Sequence, residues 1–473
     1  MNRKFWLVLI LIFLIVPVRI TAEPQERTST VRDRELVNLT VYNGGTALVH
    51  DRRRVRLNRG INRIAWRDVS ANMDATTAIV DSLGGSDPVS VLEQNFNYDL
   101  LDPNALLQRY VGKYVTVVHE ARFAGEHDTR ETARVLSTNG GIVLQYRDRI
   151  ETELRGHIIY PSSPKDFRDR PTLDLDMESS ASGPHSLDLS YLTSGLSWHA
   201  DYVGQLSPDE SHLALTALVT LANTSGASYR NARLQLVAGN VNLAQPGATS
   251  DVYNALKTIA AVRSFSQQSY FEYHLYTLER PTTILDKQTK QISLFSAQDI
   301  PVRKTLELRG YQTYYRSAEP DLGERLPIGV YVTFENRTPQ LGVPMPAGTV
   351  RLYESDGHGF SQFIGSDNID HTPRNDTVRL NLGNSFDVTA RKRQTAFHVH
   401  GNCSADSSYE IVLNNAKEIP QDVQVIESIP GDWQILQENA AHTKSSASTA
   451  TWMLHVPPAQ KSTLMYTAQV TWC

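Results

Sequence analysis

From Leu464 to Trp472 the chain alternates. Leu464, Tyr466, Ala468, Val470 and Trp472 share one parity, and Met465, Thr467, Gln469 and Thr471 the other. A period of two marks a half-buried strand, because successive side chains leave the backbone on opposite faces. Leu213, Leu215, Ala217, Val219 and Leu221 repeat the pattern, as do Trp452, Leu454 and Val456, and more briefly Val423 and Val425. Helix signals are few. Asp102-Pro103 ahead of Ala105, Leu106, Leu107 and Tyr110 predicts a short capped helix. Val252, Leu256, Ile259 and Val262 predict a short amphipathic one inside an excursion over 245–270. The expected fold is mainly β, with several β-sandwich or immunoglobulin-like modules and few short helices.

Four alternating strands stop at an Asn: Leu39–Asn43, Val219–Asn223, Tyr331–Asn336 and Glu410–Asn414-Asn415. Asn tolerates left-handed backbone and hydrogen-bonds its own neighbours, so it suits a strand end at a tight turn. The irregular spacing excludes a solenoid or propeller. Separate modules with similar hairpins fit it, as does the general frequency of Asn in turns. Breaks in pattern divide the 473 residues into a leader over 1–22, an N-terminal β domain over 23–98, and a short helix plus small β unit over 99–178. A main β domain over 179–395 and a C-terminal immunoglobulin-like module over 396–473 follow.

Arg3 and Lys4 precede the apolar run Phe5–Val18, and the small residues Thr21-Ala22 follow it. This is the pattern of a secretory signal peptide cut after Ala22, with Ile20 able to move the cut by a residue or two. At 14 residues the run is shorter than the ~20 that span a bilayer, and Pro17 and Arg19 interrupt it. An uncleaved anchor is the alternative. Cleavage removes three basic residues, which makes the remainder more acidic than the formal charge of −5. The expectation is a periplasmic or secreted protein that is not integral to the membrane once cut. In an oxidising compartment Cys403 and Cys473 are expected to form a disulfide. Two free thiols are the alternative, because the sequence does not give their separation.

With 46 Lys and Arg against 51 Asp and Glu, the chain lacks the basic excess of a nucleic-acid binder, and no nucleic-acid partner is expected. Gly195-Leu196-Ser197-Trp198-His199 lacks the second glycine of a nucleophile elbow and reads as strand, turn and strand around a packed Trp198, despite nearby Asp188. His398 and His400 would share a face of a strand, as two imidazole ligands require, and Cys403 follows, but a surface His pair is the simpler reading. Arg52, Arg53, Arg54, Arg56, Arg59, Arg63 and Arg67 form a basic cluster. It reads as a solvated face or as a patch for an anionic partner. Gly365–Asp370 reads as a polar loop whose Asp367 and Asp370, with Asp356, lack the ligand alternation of a calcium loop. No catalytic, cofactor-binding or metal residue is assigned, and no cofactor is expected. Asn38, Asn223, Asn336, Asn375 and Asn402 head glycosylation sequons.

Residues 189–202, running Leu189-Ser190-Tyr191-Leu192-Thr193-Ser194-Gly195 and on to Tyr202, resemble the opening of the domain-of-unknown-function family 4139. Val219–Asn223, Tyr229–Gly239, Tyr273–Ile284 and Glu427-Ser428-Ile429-Pro430-Gly431-Asp432-Trp433 are similar to its later segments, so the resemblance covers about 185–472. Val41–Val49 is similar to the short domain often found ahead of it. Some relatives bear the label mucoidy inhibitor A and place a coiled coil between the two; this chain has a small β unit there, so the label is not carried over. The resemblance implies a secreted or periplasmic, mainly β protein, and it implies no reaction and no site residues. The expected function is non-catalytic binding or structural work in the cell envelope, with another envelope protein or a polysaccharide as partner. An extracytoplasmic hydrolase with paired carboxylates and a carbohydrate-binding module are the alternatives.

Overall fold

The computed structural model describes residues 25–83, 89–97, 102–120, 127–154, 156–162, 168–239, 266–270, 273–319, 321–355 and 360–473. The expected leader, the expected helix over 252–262 and Asp356 lie outside them. The fold is mainly β, as the alternation requires, and Pro103–Arg109 is the one α-helix among the described residues. Contacts group the chain into two compact units: residues up to Val37 with Val49–Leu192, and Asn38–Leu48 with Thr193–Cys473.

In the first unit Thr172–Ser179 lies between Gly60–Arg67 and Val89–Asn97, antiparallel to both. A separate five-stranded sheet is built on Tyr114–His119 and Thr129–Ser137. It packs Val117, Val135 and Leu144 into a small core, which Leu106 and Leu107 of the helix cover. The helix begins where the sequence places its cap: Asp102 Oδ1 accepts from the backbone N–H groups of Asn104 and Ala105, at 2.7 and 2.9 Å.

The second unit holds a 13-stranded sheet with two cores. Ala200, Tyr202, Leu215, Val350 and Leu380 mark one; Ile411, Val425, Trp452, Leu464 and Tyr466 mark the other. Two long strands, Gln288–Arg309 and Thr377–His400, serve both. Ile300 and Leu380 fill the first core, and Leu306, Leu308, Val388 and Ala390 fill the second. Asn38–Tyr42, from near the start of the chain, pairs parallel with Arg233–Val237.

Three of the four Asn strand ends share a mechanism, though not the backbone conformation expected of them. Asn223, Asn336 and Asn415 are buried and none has a positive φ. Each uses its side-chain amide to hold the following loop. The Asn223 Oδ1 accepts from Ser225 N while its Nδ2 donates to the carbonyls of Ala227 and Leu285. The Asn336 Oδ1 accepts from Gly342 N, and its Nδ2 donates to Val343 O and Pro373 O. At Asn415 the Oδ1 accepts from Lys417 N, and Nδ2 reaches Ile419 O, Val456 O and Pro457 O. Burial of loop carbonyls demands such donors. Two of the sequons, at Asn223 and Asn336, are therefore structural; Asn375 and Asn402 are exposed.

Cys403 and Cys473 are disulfide-bonded, their Cα atoms 5.5 Å apart. Lys461–Thr471 pairs with Ser404–Asn415 over its length, and Trp472 N donates to Cys403 O at 2.9 Å beside the bridge. Leu464, Tyr466, Ala468 and Val470 face the core as the alternation predicts. Trp472 lies past the strand end and is exposed instead. The bridge closes a 70-residue separation, worth about 4 kcal/mol in the chain-entropy treatment. Replacing both cysteines by serine is expected to lower the free energy of urea unfolding on that scale and to speed amide exchange first in Lys461–Thr471.

Candidate functional site

Strand Thr377–His400 presents Val388, Ala390, Lys392 and Gln394 to the interior, so the alternation carries an ammonium group into an apolar core. Lys392 is 1% exposed and its Nζ lies 2.6 Å from Oε2 of Glu427, which is 0% exposed. The ammonium also lies 4.6 and 4.7 Å from the ring centres of Tyr314 and Tyr409, so aromatic faces occupy directions where water would otherwise solvate it. Burial pushes the Lys392 pKa down, and Glu427 pulls it part of the way back.

Tyr315 donates to Glu427 Oε2 at 3.1 Å, so the 2.8 Å contact between the hydroxyls of Tyr315 and Tyr466 has Tyr466 as donor. Burial holds both phenols well above their ordinary pKa and pushes Tyr409 up to about 12. A ring column continues from Tyr409 through Tyr466 and Trp452 to His442 and Trp433, with successive centroids 4.6–5.8 Å apart. Gly310 closes the box: a Cβ there would stand 2.0 Å from a Glu427 carboxylate oxygen. The arrangement is sealed from solvent and serves as a scaffold. The sequence marks Glu427 and Trp433 in one segment and Trp452 and Tyr466 on alternating strands, but not the box they help to form, although Lys392 and Gln394 at the inward parity of Val388 and Ala390 are a readable signal.

The first unit buries charge in the same way. Asp51 accepts from Arg34 Nε and Nη2 at 2.7 and 2.9 Å, from Arg53 Nη2 at 2.6 Å and from Trp66 Nε1 at 3.2 Å. The Arg53 guanidinium lies 4.7 Å from the Trp66 ring centre. Burial would raise the Asp51 pKa, but the two arginines outweigh it and hold the carboxyl below its usual range. This corrects the reading of the arginine cluster as one solvated face. Arg53 has core parity and is buried, Arg52 pairs with Asp188, Arg63 with Asp176 and Arg67 with Asp169. Arg54, Arg56 and Arg59 are exposed.

Nearby, Ser190 Oγ lies 2.8 Å and Asp188 Oδ1 3.9 Å from the same nitrogen, Nδ1 of His50. A catalytic triad needs the acid and the nucleophile on opposite ring nitrogens, so this set does not form one. Among the other sequence candidates, Trp198 is buried as expected, and His199 pairs with Asp201. His400 pairs with Asp406 at 2.8 Å. Among the described residues no group of three or more His, Cys, Asp and Glu is placed to hold a metal ion. The expected loop at Gly365–Asp370 is mostly strand: Ser361–Ile369 pairs with Gly348–Ser355. Its stretch Gly365–Asn368 is polar on both faces, which hid it. Asp367 accepts from the N–H groups of Asn368 and Asn381. A groove of about 860 Å³ lies against Val302, Thr333, Arg337 and Pro339; its Glu335–Arg337 pair is exposed and of little energetic weight.

The arrangement best suited to meeting another molecule is the outer face of five neighbouring strands. In order these are Ser361–Ile369, Gly348–Ser355, Leu196–Leu206, His212–Asn223 and Gln288–Arg309. Their inward parity fills the first core, which leaves the other parity outward. Asp201 accepts from Arg351 Nη1 at 2.8 Å and Thr220 Oγ1 at 2.6 Å, with His199 Nε2 at 3.2 Å. Gln291 Nε2 donates to Thr220 Oγ1 at 3.0 Å. Burial would raise the Asp201 pKa; the hydrogen bonds from Arg351 and Thr220 prevail and keep it low. Thr216 bonds Ser296, and Thr349 bonds Asn368. At one end Tyr353 and Phe363 meet edge to face at 5.6 Å, with Gln205 opposite Tyr353 on the next strand. Such a face is a preset array of hydrogen-bonding groups beside an aromatic pair.

Two outcomes follow from these charges. Lys392→Met leaves Glu427 buried without its cation and is expected to cost about 3–5 kcal/mol, while Lys392→Met with Glu427→Leu recovers most of it; urea unfolding of the singles and the double measures this. Asp51 has a folded pKa below its unfolded one, so its contribution is complete above the ordinary aspartate range and is lost as pH falls through the lower folded value. Asp51→Asn is expected to lower stability at neutral pH and to flatten its acid dependence, read by pH-resolved unfolding.

No helix among the described residues is long and apolar enough to cross a membrane. No curated protein matches the chain. The family model for the domain of unknown function DUF4139 matches residues 187–473, which includes both cores of the second unit, the Lys392–Glu427 pair and the open five-strand face. By that match, over more than half of its length, the chain belongs to the DUF4139 family.

Proposed function

We propose that the protein is exported to the periplasm or beyond the cell, and that it works there as a non-catalytic envelope protein that binds another macromolecule. The observation that carries this reading is the outer five-strand face, where the buried Asp201 and Thr220 hold the more exposed Arg351 and Gln291 in one hydrogen-bonded array. Binding sites gain from side chains fixed before the partner arrives. The buried ionic clusters support it from the other side: Asp51 and Glu427 face cations and aromatic groups inside their cores, a role in holding the fold. The basic, apolar and small-residue pattern of the first 22 residues supports export. The Cys403–Cys473 bridge suits an oxidising compartment.

The test is fractionation of the producing cell followed by affinity capture. The full chain is expected outside the cytosol, shortened at its start and oxidised at Cys403–Cys473. Immobilised, it is expected to retain one envelope component reproducibly without degrading it. Steady release of soluble fragments from an envelope polymer would overturn the non-catalytic reading in favour of a hydrolase. A full-length, reduced chain in the cytosol would overturn the export reading.

A further inference from the structure

The outer five-strand face has a chemistry that narrows the partner. Its fixed charges cancel locally: Arg351 is bound to Asp201 at 2.8 Å. Around them lie His199, 3.2 Å from Asp201, and the neutral amides and hydroxyls of Gln205, Gln291, Thr216, Ser296, Thr349 and Asn368. An anionic polymer would need a surplus of cations here, and a protein interface of ordinary kind would need an apolar centre. Val203 and Leu218 are apolar points within the face, and its aromatic pair stands at one end. Phe363 is 57% exposed and meets Tyr353 edge to face, so part of its ring is open to solvent. Gln205 is in register with Tyr353, and its Oε1 accepts from Ser361 Oγ at 3.1 Å. Five strands at the usual spacing make this face about 19 Å wide, long enough for several sugar rings in a row.

We infer that this face binds a neutral polysaccharide. An exposed aromatic ring receives the apolar face of a sugar at Phe363, and the neighbouring amides and hydroxyls meet the sugar hydroxyls along the strands. Binding energy comes from stacking and neutral hydrogen bonds, so it depends little on salt. The inference rests on the reading of the protein as a binding protein and names the class of its partner.

The test is affinity electrophoresis of the full chain in gels containing a neutral β-glucan, a neutral α-glucan or polygalacturonate. Variants Phe363→Ala, Tyr353→Ala and Gln205→Ala are run beside it. Phe386→Ala serves as control, since Phe386 is exposed on strand Thr377–His400. Unfolding curves establish that each variant is folded. The expected result is retardation by a neutral glucan at low and high salt alike, weakened on the order of tenfold by Phe363→Ala and unchanged in Phe386→Ala. Retardation by polygalacturonate alone, or retardation that a folded Phe363→Ala keeps, overturns the inference. So does the absence of retardation in every gel. In that last case, capture of an envelope protein by the wild type but not by Phe363→Ala leaves the binding-protein reading standing, and loss of both removes it as well.

Discussion

The contact between Lys392 and Glu427 sets the terms for the second unit. An ammonium and a carboxylate at 2.6 Å, both out of reach of water, require neighbours that replace solvent. The protein supplies them from distant parts of the chain. Tyr314 and Tyr315 come from the turn after Gln288–Arg309, Tyr409 from Ser404–Asn415 and Tyr466 from the last strand. Gly310 provides a backbone without a side chain where the carboxylate passes. Each of these strands is fixed in register by the box it helps to close. Because Gln288–Arg309 and Thr377–His400 continue into the first core, an error at the box would be felt there too, and along Gln288–Arg309 at the edge of the open face.

The two units solve one problem alike. Asp51 with Arg34, Arg53 and Trp66, and Glu427 with Lys392 and its tyrosines, both hold a buried carboxylate against a cation that lies on an aromatic ring. Burying a charge is unfavourable unless it is paired and hydrogen-bonded; ring faces and indole or phenol donors meet most of that demand, while Glu427 Oε1 is left without a hydrogen bond among the described residues. Perturbed titration is often a pointer to an active centre. Here Asp51, Lys392, Tyr315 and Tyr466 are shifted inside cores, where they hold the fold. On the proposed reading, fold and recognition occupy opposite parities of the same strands.

Much of this architecture could be read from the residues, because alternation is a local property. The burial of Leu464, Tyr466, Ala468 and Val470, the cap at Asp102 and the pairing of Cys403 with Cys473 all follow from patterns a few residues long or from a simple count. The site was less legible. The run Gly365–Asn368 is polar throughout, so Gly365–Asp370 read as a loop, and the register that brings Phe363 beside Tyr353 is a property of two strands together. The arginine run looked like a surface because Arg53 was judged by its charge, although its parity with Val55 and Leu57 pointed inward. The Asn strand ends were recognised for their recurrence, but the hydrogen bonds that explain them reach loops up to 62 residues away.

The account separates a sealed ionic scaffold from an open recognising surface, and hydrogen exchange of the intact chain with and without a retained neutral polysaccharide tests that separation most directly. The account predicts slower exchange in Leu196–Leu206, Gly348–Ser355 and Ser361–Ile369 when the polymer is bound, with the amides around Lys392 and Glu427 slow in both states. Protection appearing instead around Lys392 and Glu427, with the three outer strands unchanged, would contradict it.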